Sequence, residues 1–124
     1  MAEKILLDTS VLIEIFDYGK GKDLLRNECT ISIVSVYEYM RYKDKAKETM
    51  ELLENAFDII PLDDIVILSA SNIFKKLKEK GTMVNENDIY IAASAIAYGL
   101  RLYTKDSDFL KIKNVFKTFK LAIK

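Results

Sequence analysis

The chain has 124 residues, half of them apolar and 31% charged, which predicts one globular domain with a core that needs no staples. The single cysteine, Cys29, excludes an internal disulfide and fits a reducing cytoplasm. The absence of histidine excludes Ser-His-Asp catalysis, two-histidine ribonuclease chemistry and histidine-ligated zinc, which leaves carboxylates, lysines, hydroxyls and a metal to do any chemistry.

The 19 basic and 19 acidic side chains cancel, so no global field draws the protein to nucleic acid or membrane. The charge is unevenly spread. From Arg101 onward, seven basic residues face two acids, a local +5 that leaves −5 on residues 1–100. This pattern reads as a lysine-rich solvated tail or as a basic rim around an acidic site. No apolar run approaches membrane-spanning length, and the first ten residues, with Glu3 and Asp8, lack a signal-peptide pattern. The expected location is the cytoplasm.

Short β-like runs alternate with longer helical ones, which predicts a parallel α/β sheet. Lys4–Asp8 reads as a buried strand ending in an acid. A short helix follows from Val11 to about Phe16, and Gly19 and Gly21 break it before a helical turn over Asp23–Asn27. Thr30–Val34 is the second strand. Ser35 opens a long helix to about Ala56, with a break near Lys43–Lys45. Phe57–Pro61 is a short strand stopped by proline. Asp63–Lys80 is amphipathic, with Ile67, Ala70, Ile73, Phe74 and Leu77 on its apolar face and Gly81 closing it. A helix from Asn87 or Asp88 to Gly99 precedes a strand over Arg101–Thr104. Asp106–Lys111 is a short helix, and Val115–Lys117 the last strand.

Four acids share one topological position. Asp8 ends the first strand, Glu38 lies in the first turn after the second, Asp88 opens the helix before the fourth, and Asp106 follows the fourth. Each has a structural alternative. Asp8 and Asp88 could cap helices, Ser35-Val36-Tyr37-Glu38 matches a capping box, and Asp106-Ser107-Asp108 could be a turn. Taken together they point elsewhere, because strand ends and the helix starts after them lie along one edge of a parallel sheet, where ligands bind. Two carboxylates about 5 Å apart repel by roughly 3 kcal/mol at an effective dielectric near 20. Some acids must then protonate or a cation must bind, and an all-oxygen anionic set suits Mg²⁺ or Mn²⁺. Magnesium shares its shell readily with phosphate, so the implied substrate is a phosphate ester.

These residues resemble a known family. Asp8-Thr9-Ser10-Val11-Leu12-Ile13 is similar to the opening motif of PIN-domain ribonucleases, and Ser35-Val36-Tyr37-Glu38 to their second acid. Asn87-Asp88-Ile89-Tyr90-Ile91-Ala92-Ala93-Ser94-Ala95 resembles their D-x-x-I-A-A-x-A helix, and Thr104-Lys105-Asp106-Ser107-Asp108-Phe109 their closing T-x-D-x-D-F. The order holds across nearly the whole chain, and the wording looks most like the VapC toxins of toxin–antitoxin pairs. The resemblance implies a single-domain three-layer α/β/α sandwich over residues 1–124, with a mainly parallel central sheet.

It also implies an acidic quartet of Asp8, Glu38, Asp88 and Asp106, with Thr9, Ser10 and Thr104 as supporting hydroxyls and Asp108 as an alternative or additional acid. Glu86 is a competing ligand, and Arg101 and Lys105 are candidate phosphate contacts. On this reading Asp8 and Asp88 ligate one Mg²⁺ or Mn²⁺, while Glu38 and Asp106 orient water or help hold a second ion. Water then cleaves an RNA phosphodiester to leave 5′-phosphate and 3′-hydroxyl ends. The expected partners are RNA, a small antitoxin that blocks the site with a positive side chain, and a second copy in a homodimer. The Tyr37–Tyr42 stretch and Ile15, Phe16 and Tyr18 are candidate partner surfaces, and Cys29 is expected to be a small buried residue. Two rival readings are an RNA-processing nuclease without an antitoxin and a catalytically silent PIN-like binding domain. A phospho-receiver domain fits poorly, since only one acid follows the first strand.

Overall fold

A computed structural model describes residues 2–124. Five strands form one sheet: β1 (Lys4–Leu7), β2 (Glu28–Ser32), β3 (Asp58–Ile60), β4 (Arg101–Thr104) and β5 (Lys120–Ile123). All pairings are parallel and the spatial order is β3-β2-β1-β4-β5. The chain winds outward from β1 through β2 to β3, then returns to lay β4 on the other side of β1. The order therefore reverses between β1 and β4, and a crevice opens beyond their carboxyl ends. Leu6 pairs with Leu102 in register there.

Six helices cover the sheet: α1 (Thr9–Tyr18), α2 (Ile33–Met40), α3 (Ala46–Ala56), α4 (Asp64–Glu79), α5 (Glu86–Tyr98) and α6 (Phe109–Val115), with a 3-10 turn at Lys22–Arg26. The pleat divides β1 between two cores. Leu6 joins Leu102, Phe109, Phe119 and the buried faces of α4 and α5. Ile5 and Leu7 join Val11, Leu12, Val36, Leu53 and Phe57 under α1, α2 and α3. Three layers result, as expected for strands whose two faces are both apolar. No helix is long and apolar enough to cross a membrane among the described residues.

Several boundaries differ from the sequence expectation. β2 starts at Glu28 and ends at Ser32, so α2 opens at Ile33, two residues before the expected Ser35. Ser32 is the cap, and its hydroxyl accepts the Val34 N–H at 3.1 Å. The expected break separates α2 from α3. On α4 the buried positions are Val66, Ala70, Ile73 and Leu77, while Ile67 and Phe74 are left about half exposed. The final strand is not at Val115–Lys117. α6 runs on through Val115, and the strand forms at Lys120–Ile123, where Lys120 pairs with Arg101. Ile15 is buried rather than free for a partner, whereas Tyr18 is exposed. Cys29 is half-buried, its thiol donating to the Leu24 carbonyl at 3.3 Å.

Candidate active site

Asp8 occupies the N-cap position of α1 in extended backbone but makes no side-chain capping bond. Its carboxylate turns across the switch point instead. Thr104 Oγ1, at the end of β4, donates to Asp8 Oδ2 at 2.7 Å, and Ser10 Oγ donates to the same oxygen at 2.8 Å. Thr104 Oγ1 also accepts the Asp106 N–H at 3.0 Å, and Ser10 Oγ the Lys105 N–H at 3.0 Å. The two hydroxyls thus tie the start of α1 to the turn after β4. Burial pushes the Asp8 carboxyl above its ordinary value, and the two hydroxyl donors oppose the rise.

Glu38 lies in α2, with Thr9 Oγ1 donating to Oε1 at 2.6 Å and Asn87 Nδ2 donating to Oε2 at 3.2 Å. The alternative reading of this segment as a capping box therefore fails. Ser35 is fully buried with its hydroxyl near Thr9, and the tertiary donors hold Glu38 away from its own helix end. Asp88 is not a cap either. Asn85 caps α5, accepting the Asn87 N–H at 2.8 Å, and Asp88 follows in the first turn.

One carboxylate oxygen from each of Asp88, Asp106 and Asp108 lies within 4.8 Å of the others. Asp108 sits in this trio because the Asp106 side chain accepts its N–H at 2.9 Å, folding the Asp106–Asp108 turn back on itself. Partial burial, and then the charges of Asp8, Asp106, Glu38 and Asp108, push the Asp88 carboxyl up to about 7. Five carboxylates thus converge on the carboxyl edge of the sheet, contributed by four separate segments. Two charges 4.8 Å apart repel by roughly 3 kcal/mol at an effective dielectric near 20, so the trio calls for positive charge. Its donors are all oxygen and all anionic, a set that fits a hard divalent cation and not a thiophilic one.

Other expected residues lie elsewhere. Arg101 begins β4, at the opposite sheet edge from Thr104, and pairs with Glu3 at 3.3 Å. Glu86 lines a groove with Ile67, Phe74 and Ile89 between α4 and α5 and does not compete for the acid pocket. Lys105 is at the right edge, its ammonium 2.6 Å from Glu14 Oε1. Tyr39 is buried, donating to Asp17 Oδ1 at 2.7 Å, whereas Tyr37 and Tyr42 are exposed with the Arg41 guanidinium 5.7 and 5.1 Å from their ring centres. Sequence reasoning missed Asn87 as the donor to Glu38 and Glu14 as the partner of Lys105. Glu14 stands four residues after Ser10, on the same face of α1, and that spacing was the available signal.

The chain is 33% identical over 105 residues to Ribonuclease VapC1 of Methanocaldococcus jannaschii, covering 83% of this chain and 76% of that one. Ribonuclease VapC3 of the same organism is 33% identical over 90 residues, covering 71% and 94%. Among solved structures, the fold matches a chain of DNA-bound VapBC from Salmonella typhimurium with a TM-score of 0.77 at 18% identity, covering 99% and 98% of the two chains. It matches VapBC-1 from nontypeable Haemophilus influenzae with a TM-score of 0.78 at 17% identity, covering 97% of each. Residues 5–115 match the PIN domain family, and with the strand order and relatives just described, the chain belongs to that family.

Proposed function

We propose that residues 1–124 form one nuclease domain, a divalent-metal-dependent endoribonuclease that is the toxin of a VapC-type toxin–antitoxin pair. The observation that carries this reading is the convergence of Asp8, Glu38, Asp88, Asp106 and Asp108 at the switch point, which leaves the Asp88 carboxyl pushed up to about 7. The names of the curated relatives support ribonuclease activity over a silent binding role.

Asp88, Asp106 and Asp108 would hold a Mg²⁺ or Mn²⁺ ion, and Asp8, whose charge acts on Asp88, would add a further carboxylate to the set. When bound, the ion supplies positive charge for the phosphate in the transition state and lowers the pKa of a neighbouring water. Glu38 orients the attacking water and takes up its proton, with Thr9 and Asn87 keeping the carboxylate turned into the pocket. Ser10 and Thr104 hold Asp8 in the geometry the ion needs. Lys105, held by Glu14, adds positive charge at the same edge of the sheet. Attack by water on the phosphodiester leaves 5′-phosphate and 3′-hydroxyl ends.

The partners on this reading are RNA, a small antitoxin and a second copy of the chain, all in the cytoplasm. A guanidinium or ammonium group of an antitoxin satisfies the same carboxylates as the metal would. The similar folds are those of DNA-bound VapBC from Salmonella typhimurium and VapBC-1 from Haemophilus influenzae, which supports a partner here.

The test is cleavage of single-stranded RNA in Mn²⁺ or Mg²⁺. Cleavage is expected to stop with a chelator and with Asp88→Asn, and its products to carry 5′-phosphate. A 2′,3′-cyclic phosphate product, or full activity in Asp88→Asn, overturns the reading.

A further inference from the structure

On one flank of the acid pocket a second cleft of about 190 Å³ opens at the same end of the sheet. Val11 and Leu24 form its apolar floor, and Glu14, Lys20, Lys105 and Lys124 stand around it. Three lysine side chains outnumber the one glutamate around the cleft. Glu14 Oε1 holds the Lys105 ammonium at 2.6 Å. Neither Lys20 nor Lys124 has a carboxylate within ion-pair distance among the described residues. The Lys124 ammonium rests 5.8 Å from the centre of the Tyr103 ring.

The cleft and the acid pocket share their dividing wall. Val11 follows Ser10, and the Lys105 N–H donates to the Ser10 hydroxyl that holds Asp8. The Lys124 N–H donates at 2.8 Å to the carbonyl of Thr104, whose hydroxyl also holds Asp8. A strand laid across the acid pocket therefore meets these lysines one step away. Such a strand needs them. Five carboxylates repel a polyanion, the chain has no net charge to offset them, and a bound cation neutralises only the phosphate it touches. The apolar floor supports the lysine stems while their ammonium groups stay free.

We propose that this cleft is a phosphate subsite, taking backbone phosphate of single-stranded RNA beside the scissile bond, with Lys20 and Lys124 as the cationic contacts and Lys105 fixed by Glu14. The proposal rests on the ribonuclease reading and deepens it. Contact is with phosphate alone, so the subsite adds affinity and register but no sequence preference.

The test uses the full chain and a short fluorescein-labelled oligouridine, with affinity read by anisotropy between about 50 and 200 mM salt. In Lys20→Gln/Lys124→Gln, both exposed positions, binding is expected to weaken and the slope of log affinity against log salt to shrink by at least about 0.7, one single-strand contact. Lys20→Arg/Lys124→Arg is expected to keep the slope. The control Lys47→Gln/Lys75→Gln removes the same charge from exposed positions on α3 and α4 and is expected to leave the slope unchanged. An unchanged slope in the first variant, or an equal loss in the control, overturns the subsite. So does saturable binding of inorganic phosphate without any effect of the substitutions on oligouridine. Cleavage by the wild type in Mn²⁺ separates the two readings. If it cleaves while the slope holds, only the subsite fails; if it neither binds nor cleaves, both fail.

Discussion

The acid pocket has two halves built on different principles. Asp8 and Glu38 are held: Thr104, Ser10, Thr9 and Asn87 all donate to them. Asp88, Asp106 and Asp108 are crowded within 4.8 Å, and the one internal donor among them is the Asp108 N–H on Asp106. The held half is satisfied by the protein and keeps its shape without a ligand. The crowded half has little of this support beyond the Lys111 ammonium 3.5 Å from Asp108, and Asp88 in it, partly buried and facing Asp8 as well as its neighbours, is pushed up to about 7. A site of this kind is preorganised on one side and responsive on the other, and substitutions should divide along the same line.

The largest effect is expected in the crowded half. Asp106→Asn and Asp108→Asn should each lower RNA cleavage by about 10²-fold or more, since each removes a candidate cation ligand. Melting temperature should stay level, because neither side chain is buried. Rates and melts of the two variants side by side check this. If Asp108→Asn cleaves like the wild type, the crowded group shrinks to a pair and Asp8 takes the third place.

The next effect falls on the held half. Thr104 is fully buried, and its hydroxyl both donates to Asp8 and accepts from the Asp106 N–H. Thr104→Val keeps the shape and removes both bonds. The expected cost is about 2 kcal/mol of stability, for an acid left short of a donor and an N–H left without an acceptor. Thermal unfolding should show a drop of roughly 5–10 °C for a chain of this size. A drop under a degree would mean that water replaces the hydroxyl and that the held half is not held by this contact.

How far these halves could be foreseen depended on whether the deciding contact was local. Asp8 and Thr104 sit at the ends of apolar strands, and Asp88 opens a helix with a strong small-residue pattern, so all three were legible. Ser35-Val36-Tyr37-Glu38 was ambiguous, because a local capping signature and a tertiary acid share the same letters. What settled it was the pair of donors from Thr9 and Asn87, one 29 and the other 49 residues away. The last strand was illegible for the opposite reason. Lys120–Ile123 is an edge strand, exposed at both ends, with too little apolar pattern to outrank Val115-Phe116. On α4, Ile67 and Phe74 fit the apolar periodicity as well as Val66 does, and only the seating of the helix on α5 decides which are covered.

Proton linkage sharpens the comparison further. The Asp88 carboxyl rises from an ordinary 3.8 to about 7, mainly through burial and then through the neighbouring acids. Its protonated form is thus favoured in the folded chain. The stability that Asp88 contributes to the metal-free protein should be fully present below about pH 4, fall as pH climbs through 7, and fall no further above about pH 8. Discounted for the solvent that reaches this half-exposed group, the loss is about 1–2 kcal/mol. Asp88→Asn should not show it, and at pH 8 without metal should melt at or above the wild type. Mn²⁺ should restore the wild type and leave the variant unmoved. A variant that melts well below the wild type at pH 8 would make Asp88 a structural residue.

The smallest effect belongs to the far edge of the sheet. Arg101 and Glu3 pair at 3.3 Å, both side chains well exposed, at the amino end of the strands whose carboxyl ends carry the acids. An exposed pair of this kind contributes about 0–0.5 kcal/mol, and less as salt screens it. Glu3→Gln should therefore shift the melt by no more than about 2 °C and leave RNA cleavage untouched. Arg101→Gln should do the same, because its charge lies a full strand length from Thr104. If Arg101→Gln instead weakened RNA binding as much as loss of Lys20 and Lys124, the strand would have to wrap around the sheet edge. The division between a chemical edge and a structural edge would then fail.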